Sequence, residues 1–126
     1  MRAVDTNVLV RLITRDDERE ALAAEAFIEK GVWVSHLVLA DATWILRKTY
    51  GLDHAEIATA INMLLNNANV AVQDADVVVN ALASYRRKPS LGFLDCLVLE
   101  IAKKAGHLPL GTFDRDLSKI DGTERL

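Results

Sequence analysis

Four aspartates, Asp5, Asp41, Asp95 and Asp114, stand in surroundings that give a carboxylate little structural use. Asp5 ends an apolar opening strand in Arg2-Ala3-Val4-Asp5-Thr6-Asn7, and Asp114 follows another in Leu110-Gly111-Thr112-Phe113-Asp114. Asp41 and Asp95 fall inside strongly apolar helical stretches, 37–46 and 94–102. At helical spacing Asp95 has Leu91, Val98, Leu99 and Ala102 as neighbours, and Asp41 has Leu37, Trp44 and Ile45, so both are expected on apolar, core-facing stripes. A carboxylate buried there is costly unless something positive meets it. Converging carboxylates also repel and raise one another's pKa. Several of them, drawn from the whole chain, point to one shared cation, and an oxygen-only donor set suits Mg2+ or Mn2+. Such an ion polarises a phosphoryl oxygen and makes a bound water a usable nucleophile, which fits phosphodiester hydrolysis.

Each acid has a competing structural role. Asp5 can cap the helix that begins within two residues, and Asp41 can pair with a lysine or arginine. Asp116 competes with Asp114: it precedes Leu117-Ser118-Lys119, so capping is its expected role and outer metal ligand its alternative. Asp114 directly follows a strand and is the preferred ligand. Asp16 and Asp17 read as first-turn residues of an exposed helix, and Glu100 as a solvated helix residue. His36, His54 and His107 lie at element ends, where exposure is expected, and assemble no competing site. Cys96, among Leu97, Val98 and Leu99, reads as a small core residue. No Gly-rich phosphate loop and no Ser–His–Asp pattern is present.

The elements that must position these residues alternate from end to end. Strands are expected at 2–5, 32–35, 70–73 and 108–111, with a weak one near 123–126. Helices are expected at 7–15, 17–30, 37–50, 54–67, 74–87 and 93–105, with a short helical turn after Asp116. Asp16-Asp17-Glu18 and Asp53 mark helix starts, Gly31, Gly51 and Gly106 mark ends, and Lys88-Pro89-Ser90 is a break. The alternation implies right-handed βαβ crossovers and a mainly parallel sheet with helices on both faces. Ligands in such sheets bind beyond the carboxyl ends of the strands, where Asp5, Ser35, Thr112 and Asp114 are expected.

At 126 residues the chain reads as a single domain, residues 1–126. An apolar fraction of 51% with six glycines and two prolines fits a compact fold. One cysteine excludes an internal disulfide or a Cys-rich zinc site. No apolar run is long enough for a membrane span, and the N-terminus reaches Asp5 too soon for a signal peptide, so a cytoplasmic location is expected. The net charge of −3 argues against charge-driven nucleic-acid binding, but setting four metal-holding aspartates aside leaves +1.

Four motifs taken together, in their order and spacing, resemble the PIN-domain family over the whole chain, and especially its VapC-type toxins. They are Val4-Asp5-Thr6-Asn7-Val8-Leu9-Val10, the stretch 37–46, Phe93-Leu94-Asp95, and Gly111-Thr112-Phe113-Asp114-Arg115-Asp116-Leu117. The resemblance implies a PIN-like (flavodoxin-like) three-layer α/β/α sandwich with a central, mainly parallel sheet. It implies a Mg2+- or Mn2+-dependent endoribonuclease, the toxin of a toxin–antitoxin pair, that forms homodimers and is blocked by a cognate antitoxin. By that likeness Asp5, Asp41, Asp95 and Asp114 are the acidic positions, Asn7 and Thr112 are supporting polar groups, and Asp116 is an occasional participant. The Arg86-Arg87-Lys88 cluster is a candidate to steer the RNA backbone, against the alternative of a solvated helix end; Arg11, Arg15 and Arg47 are weaker candidates. One departure stands out: the family's second acid is usually glutamate, and here it is Asp41. A side chain shorter by roughly 1.5 Å suits a strict Mg2+ shell less well. The alternative reading is therefore a catalytically weak PIN-like domain that binds RNA or a partner. A phospho-receiver domain wants adjacent acids after its first strand, whereas Thr6 and Asn7 follow Asp5.

Overall fold

The computed structural model describes all residues, 1–126, which divide into two compact units, Met1–Ala75 and Asp76–Leu126. The first unit runs β1 (Arg2–Ala3), α1 (Thr6–Thr14), α2 (Glu18–Ile28), β2 (Val32–Val34), α3 (His36–Lys48), α4 (His54–Asn66) and β3 (Val70–Val72). Its three strands form a parallel sheet in the order β1-β2-β3, with Arg2 opposite Val32 and Val32 opposite Val70. Each connection is a helix pair, as parallel neighbours require. Val32 and Val34 are buried with Trp33 exposed between them, the period of two that a strand imposes.

β1 is shorter than the expected 2–5 because Asp5 leaves the ladder: with an extended backbone it becomes the N-cap of α1. α4 starts on a complete capping box, in which the Asp53 side chain accepts from the Glu56 N–H at 2.8 Å and the Glu56 side chain accepts from the Asp53 N–H at 3.0 Å. Its buried residues, Ile57, Ala58, Ala60, Ile61 and Leu64, keep the spacing read from the sequence.

The second unit carries α5 (Ala75–Arg87), α6 (Phe93–Ala105), β4 (Leu110–Thr112), a 3-10 turn (Leu117–Lys119) and β5 (Thr123–Arg125). α5 buries Val77, Val78, Ala81, Leu82 and Tyr85, and α6 buries Phe93, Cys96, Leu97 and Leu99. Tyr85 and Phe93 meet edge to face, with ring centroids 5.8 Å apart. α6 ends at Gly106, whose φ of 83° suits a residue without a Cβ. β4 pairs with β5 in parallel as a separate two-stranded ladder, Leu110 opposite Thr123. The ladder begins two residues later than the expected 108, because Pro109 has no N–H to donate; the first donor is Leu110, to the Gly122 carbonyl at 2.8 Å. No helix is long and apolar enough to cross a membrane.

Candidate functional site

Asp95 and Asp114 are the two acids whose interaction is resolved in the second unit. Asp95 sits in the first turn of α6, three residues after the N-cap Gly92, which has no side chain with which to cap the helix. The Gly92 backbone N–H lies near the Asp95 carboxyl and favours its charged form. Alone, this placement would favour the charged carboxylate. Yet the Asp95 pKa is raised: half-burial disfavours the charge, and the nearby Asp114 carboxylate adds repulsion. No ion pair offsets that penalty. Of the two aspartates expected on core-facing stripes, Asp95 is partly buried, with Leu91 and Leu99 of its stripe buried and Val98 42% exposed.

Asp114 is exposed and sits in a pinned turn. Its N–H donates to Thr112 Oγ1 at 3.0 Å, its Oδ1 accepts from the Leu117 N–H at 2.9 Å, and its carbonyl accepts from the Ser118 N–H at 3.0 Å. The capping role expected of Asp116 falls to Asp114 instead. Asp114 caps the 3-10 turn, while Asp116 makes no side-chain cap bond and instead stands 3.8 Å from Lys119. The reason is reach: with Asp116 already in helical backbone, Asp114 is the residue placed to meet the Leu117 N–H.

In the first unit, Asp5 caps α1, accepting from the Val8 N–H at 3.4 Å. Asp41 Oδ2 accepts a hydrogen bond from Thr6 Oγ1 at 2.8 Å. Thr6, the first residue of α1, thus ties the start of α1 to α3. The expected core-facing stripe of Asp41 is overturned: Asp41 is exposed, and its helical neighbours Leu37 and Trp44 are 80% and 56% exposed. Periodicity identified one apolar face of α3, but the buried one carries Leu39, Ala42, Thr43 and Leu46. Asp41 has no salt bridge; Thr6 replaces it.

A family model, the PIN domain, matches residues 2–123. The chain belongs to the PIN-domain family. Its α/β PIN-like sandwich fold follows, and every strand pair in both units is parallel, as the alternating elements required. No curated protein matches the chain. Among solved structures it is similar to VapC20 of Mycobacterium tuberculosis, a sarcin-ricin loop cleaving toxin, at 22% identity over 98% of each chain and a TM-score of 0.45.

In this PIN-domain chain, no group of three or more His, Cys, Asp or Glu side chains is gathered closely enough to hold a metal by itself. The donor chemistry nonetheless fits a hard divalent cation. Asp95 and Asp114 are oxygen donors, neither has a lysine or arginine partner, and their repulsion is what a cation would relieve. Cys96 is buried, as its setting implied, and burial is the main cause that pushes its thiol up to about 11.

The remaining candidates separate by what they touch. Arg11 is engaged, donating to Glu20 at 3.0 Å, to Asp16 at 3.1 Å and to the Tyr50 hydroxyl at 2.9 Å, and Arg15 is paired with Glu25. Asp16 is therefore a network residue rather than a first-turn acid, and Asp17 alone caps α2. Arg86 and Arg87 end α5 and Lys88 follows, all exposed; Arg87 reaches only the Ser84 hydroxyl, at 3.4 Å. Asn7 is exposed on the first turn of α1. His36 is a correction: it is partly buried, and its Nε2 is buried without a hydrogen-bond partner. It lies beside Gln73, whose side-chain oxygen accepts from the His36 N–H at 2.9 Å, a contact between strand ends that local sequence does not reveal.

Proposed function

We propose that this protein is a Mg2+- or Mn2+-dependent endoribonuclease that hydrolyses RNA phosphodiester bonds, and that residues 1–126 act as one PIN domain. The observation that carries the reading is the Asp95–Asp114 pair, in which a half-buried carboxyl with a raised pKa faces a second carboxylate and no cationic side chain. Family membership supplies the context.

Asp95 and Asp114 are the proposed principal ligands, Asp5 and Asp41 are further ligands, and Asp116 is an outer one. When bound, the ion supplies charge stabilisation at the phosphoryl group. The chain's own groups do the positioning. The Gly92 N–H favours the charged Asp95 carboxylate, and Thr112 Oγ1 fixes the backbone from which Asp114 projects. The Thr6 hydroxyl holds one oxygen of Asp41 and leaves the other without a protein donor. Asn7 is a supporting polar group, and Arg86, Arg87 and Lys88 contact RNA phosphates. The toxin of a toxin–antitoxin pair, cytoplasmic and homodimeric with a cognate antitoxin, is the setting we infer from the VapC resemblance of the motifs.

The test is metal-dependent cleavage of RNA by wild type and Asp95→Asn. Loss of about 100-fold or more is expected, the scale on which removing one stabilising group acts at the transition state; equal rates would sink the proposal. A second reading, a domain that binds RNA and cleaves weakly, is favoured by Asp41, which stands where the family resemblance implies glutamate. In the same assay, Asp41→Glu would gain cleavage and Mn2+ affinity if that position is detuned.

A further inference from the structure

We propose that Phe113 is a stacking platform for one base of single-stranded RNA, holding the nucleotide beside the Asp95–Asp114 pair. The proposal rests on the ribonuclease reading and names how the substrate is gripped. Phe113 is 81% exposed, although it is one of only three phenylalanines in the chain. Singly exposed apolar side chains are ordinary, so exposure alone decides nothing. Its placement is the argument.

The ring projects from the turn that carries Asp114, and that turn is fixed on both sides. The Leu126 N–H donates to the Thr112 carbonyl at 2.9 Å, the Asp114 N–H to Thr112 Oγ1 at 3.0 Å, and the Leu117 N–H to Asp114 Oδ1 at 2.9 Å. The backbone beneath the ring is therefore ordered before any ligand arrives, which lowers the entropy cost of binding. Three consecutive exposed residues then offer three chemistries. Phe113 has an aromatic face for a base, Asp114 a carboxylate for a metal, and Arg115 a guanidinium without an ion pair for a phosphate. That set matches one nucleotide. Unpaired RNA is recognised by splayed bases stacked on such rings, and stacking tolerates any base because every base has a π-face.

The test measures binding in EDTA, where cleavage cannot interfere. The probes are a fluorescein-labelled single-stranded RNA of mixed sequence and an abasic chain of equal length, each of about 12 nucleotides, within the usual site size for such binding. Phe113→Ala is expected to weaken binding of the base-bearing RNA roughly 5- to 100-fold and to leave the abasic chain unaffected. Phe113→Trp should retain affinity. Equal binding of both probes by wild type and Phe113→Ala overturns the proposal, as does equal weakening of both. A change in sedimenting mass for Phe113→Ala, with RNA binding intact, would make the ring a subunit contact and also overturns it. Metal-dependent cleavage by wild type, with base-dependent binding unaffected by Phe113→Ala, removes the stack and leaves the ribonuclease standing. Base-dependent binding lost in Phe113→Ala, with no cleavage by wild type, does the reverse.

Discussion

Asp95 is held in a place that costs the fold stability once its carboxyl is charged. Its carboxyl is half-buried on α6, near a second carboxylate, and the single N–H of Gly92 does not offset both penalties. Its folded-state pKa therefore lies above the ordinary 3.8. A raised acid pKa means that the folded protein binds the proton more tightly than the unfolded chain. The associated stability is present below the unfolded value and is lost as pH rises through the raised folded value. In EDTA, Asp95→Asn is expected to melt at a higher temperature than wild type at neutral pH. The gap should close as pH falls toward 3.8. Thermal unfolding across that range checks this, and a gap independent of pH would assign the difference to packing. Added Mn2+ should raise the melting temperature of wild type more than that of Asp95→Asn, since a ligand stabilises the state that binds it.

At the scale of elements, the 3-10 turn after β4 shows how one residue is given two tasks. Asp114 caps the turn through the Leu117 N–H, and the same carboxylate is the proposed metal ligand. Asp116, which the sequence favours as the cap, is left with a distant lysine. Losing an N-cap costs about 0.5–2 kcal/mol, whereas an exposed pair is worth about 0–1 kcal/mol. Asp114→Ala should therefore destabilise more than Asp116→Ala in urea unfolding. The comparison is best made in an Asp95→Asn background, where relief of repulsion cannot mask the lost cap. The reverse order would return capping to Asp116. Most element positions were readable from local signals. Asp53 with Glu56 started α4, Gly106 ended α6, and the Val-Trp-Val alternation marked β2. The two strand ends that moved by two residues did so for local reasons as well, the cap at Asp5 and the missing N–H of Pro109.

For the whole molecule, a net charge of −3 limits how the proposed RNA substrate can be held. Affinity must come from a few placed cations and from contacts that charge does not govern. Replacing Arg86, Arg87 and Lys88 together by alanine should make the salt dependence of RNA binding shallower by about 2 in log–log slope, at roughly 0.7 per phosphate contact on a single strand. An unchanged slope would leave those residues as a solvated helix end. What the sequence by itself determined is the succession of elements, their parallel pairing and the PIN-domain motifs, because caps, periodicity and crossover handedness act over a few residues or one connection. Tertiary structure alone decided which apolar stripe of α3 is buried, that Thr6 rather than a cation meets Asp41, and that Asp95 and Asp114 share one field. Those outcomes depend on residues 19 to 35 positions apart brought together by packing, and desolvation and Coulomb repulsion have no magnitude until the chain has closed around them.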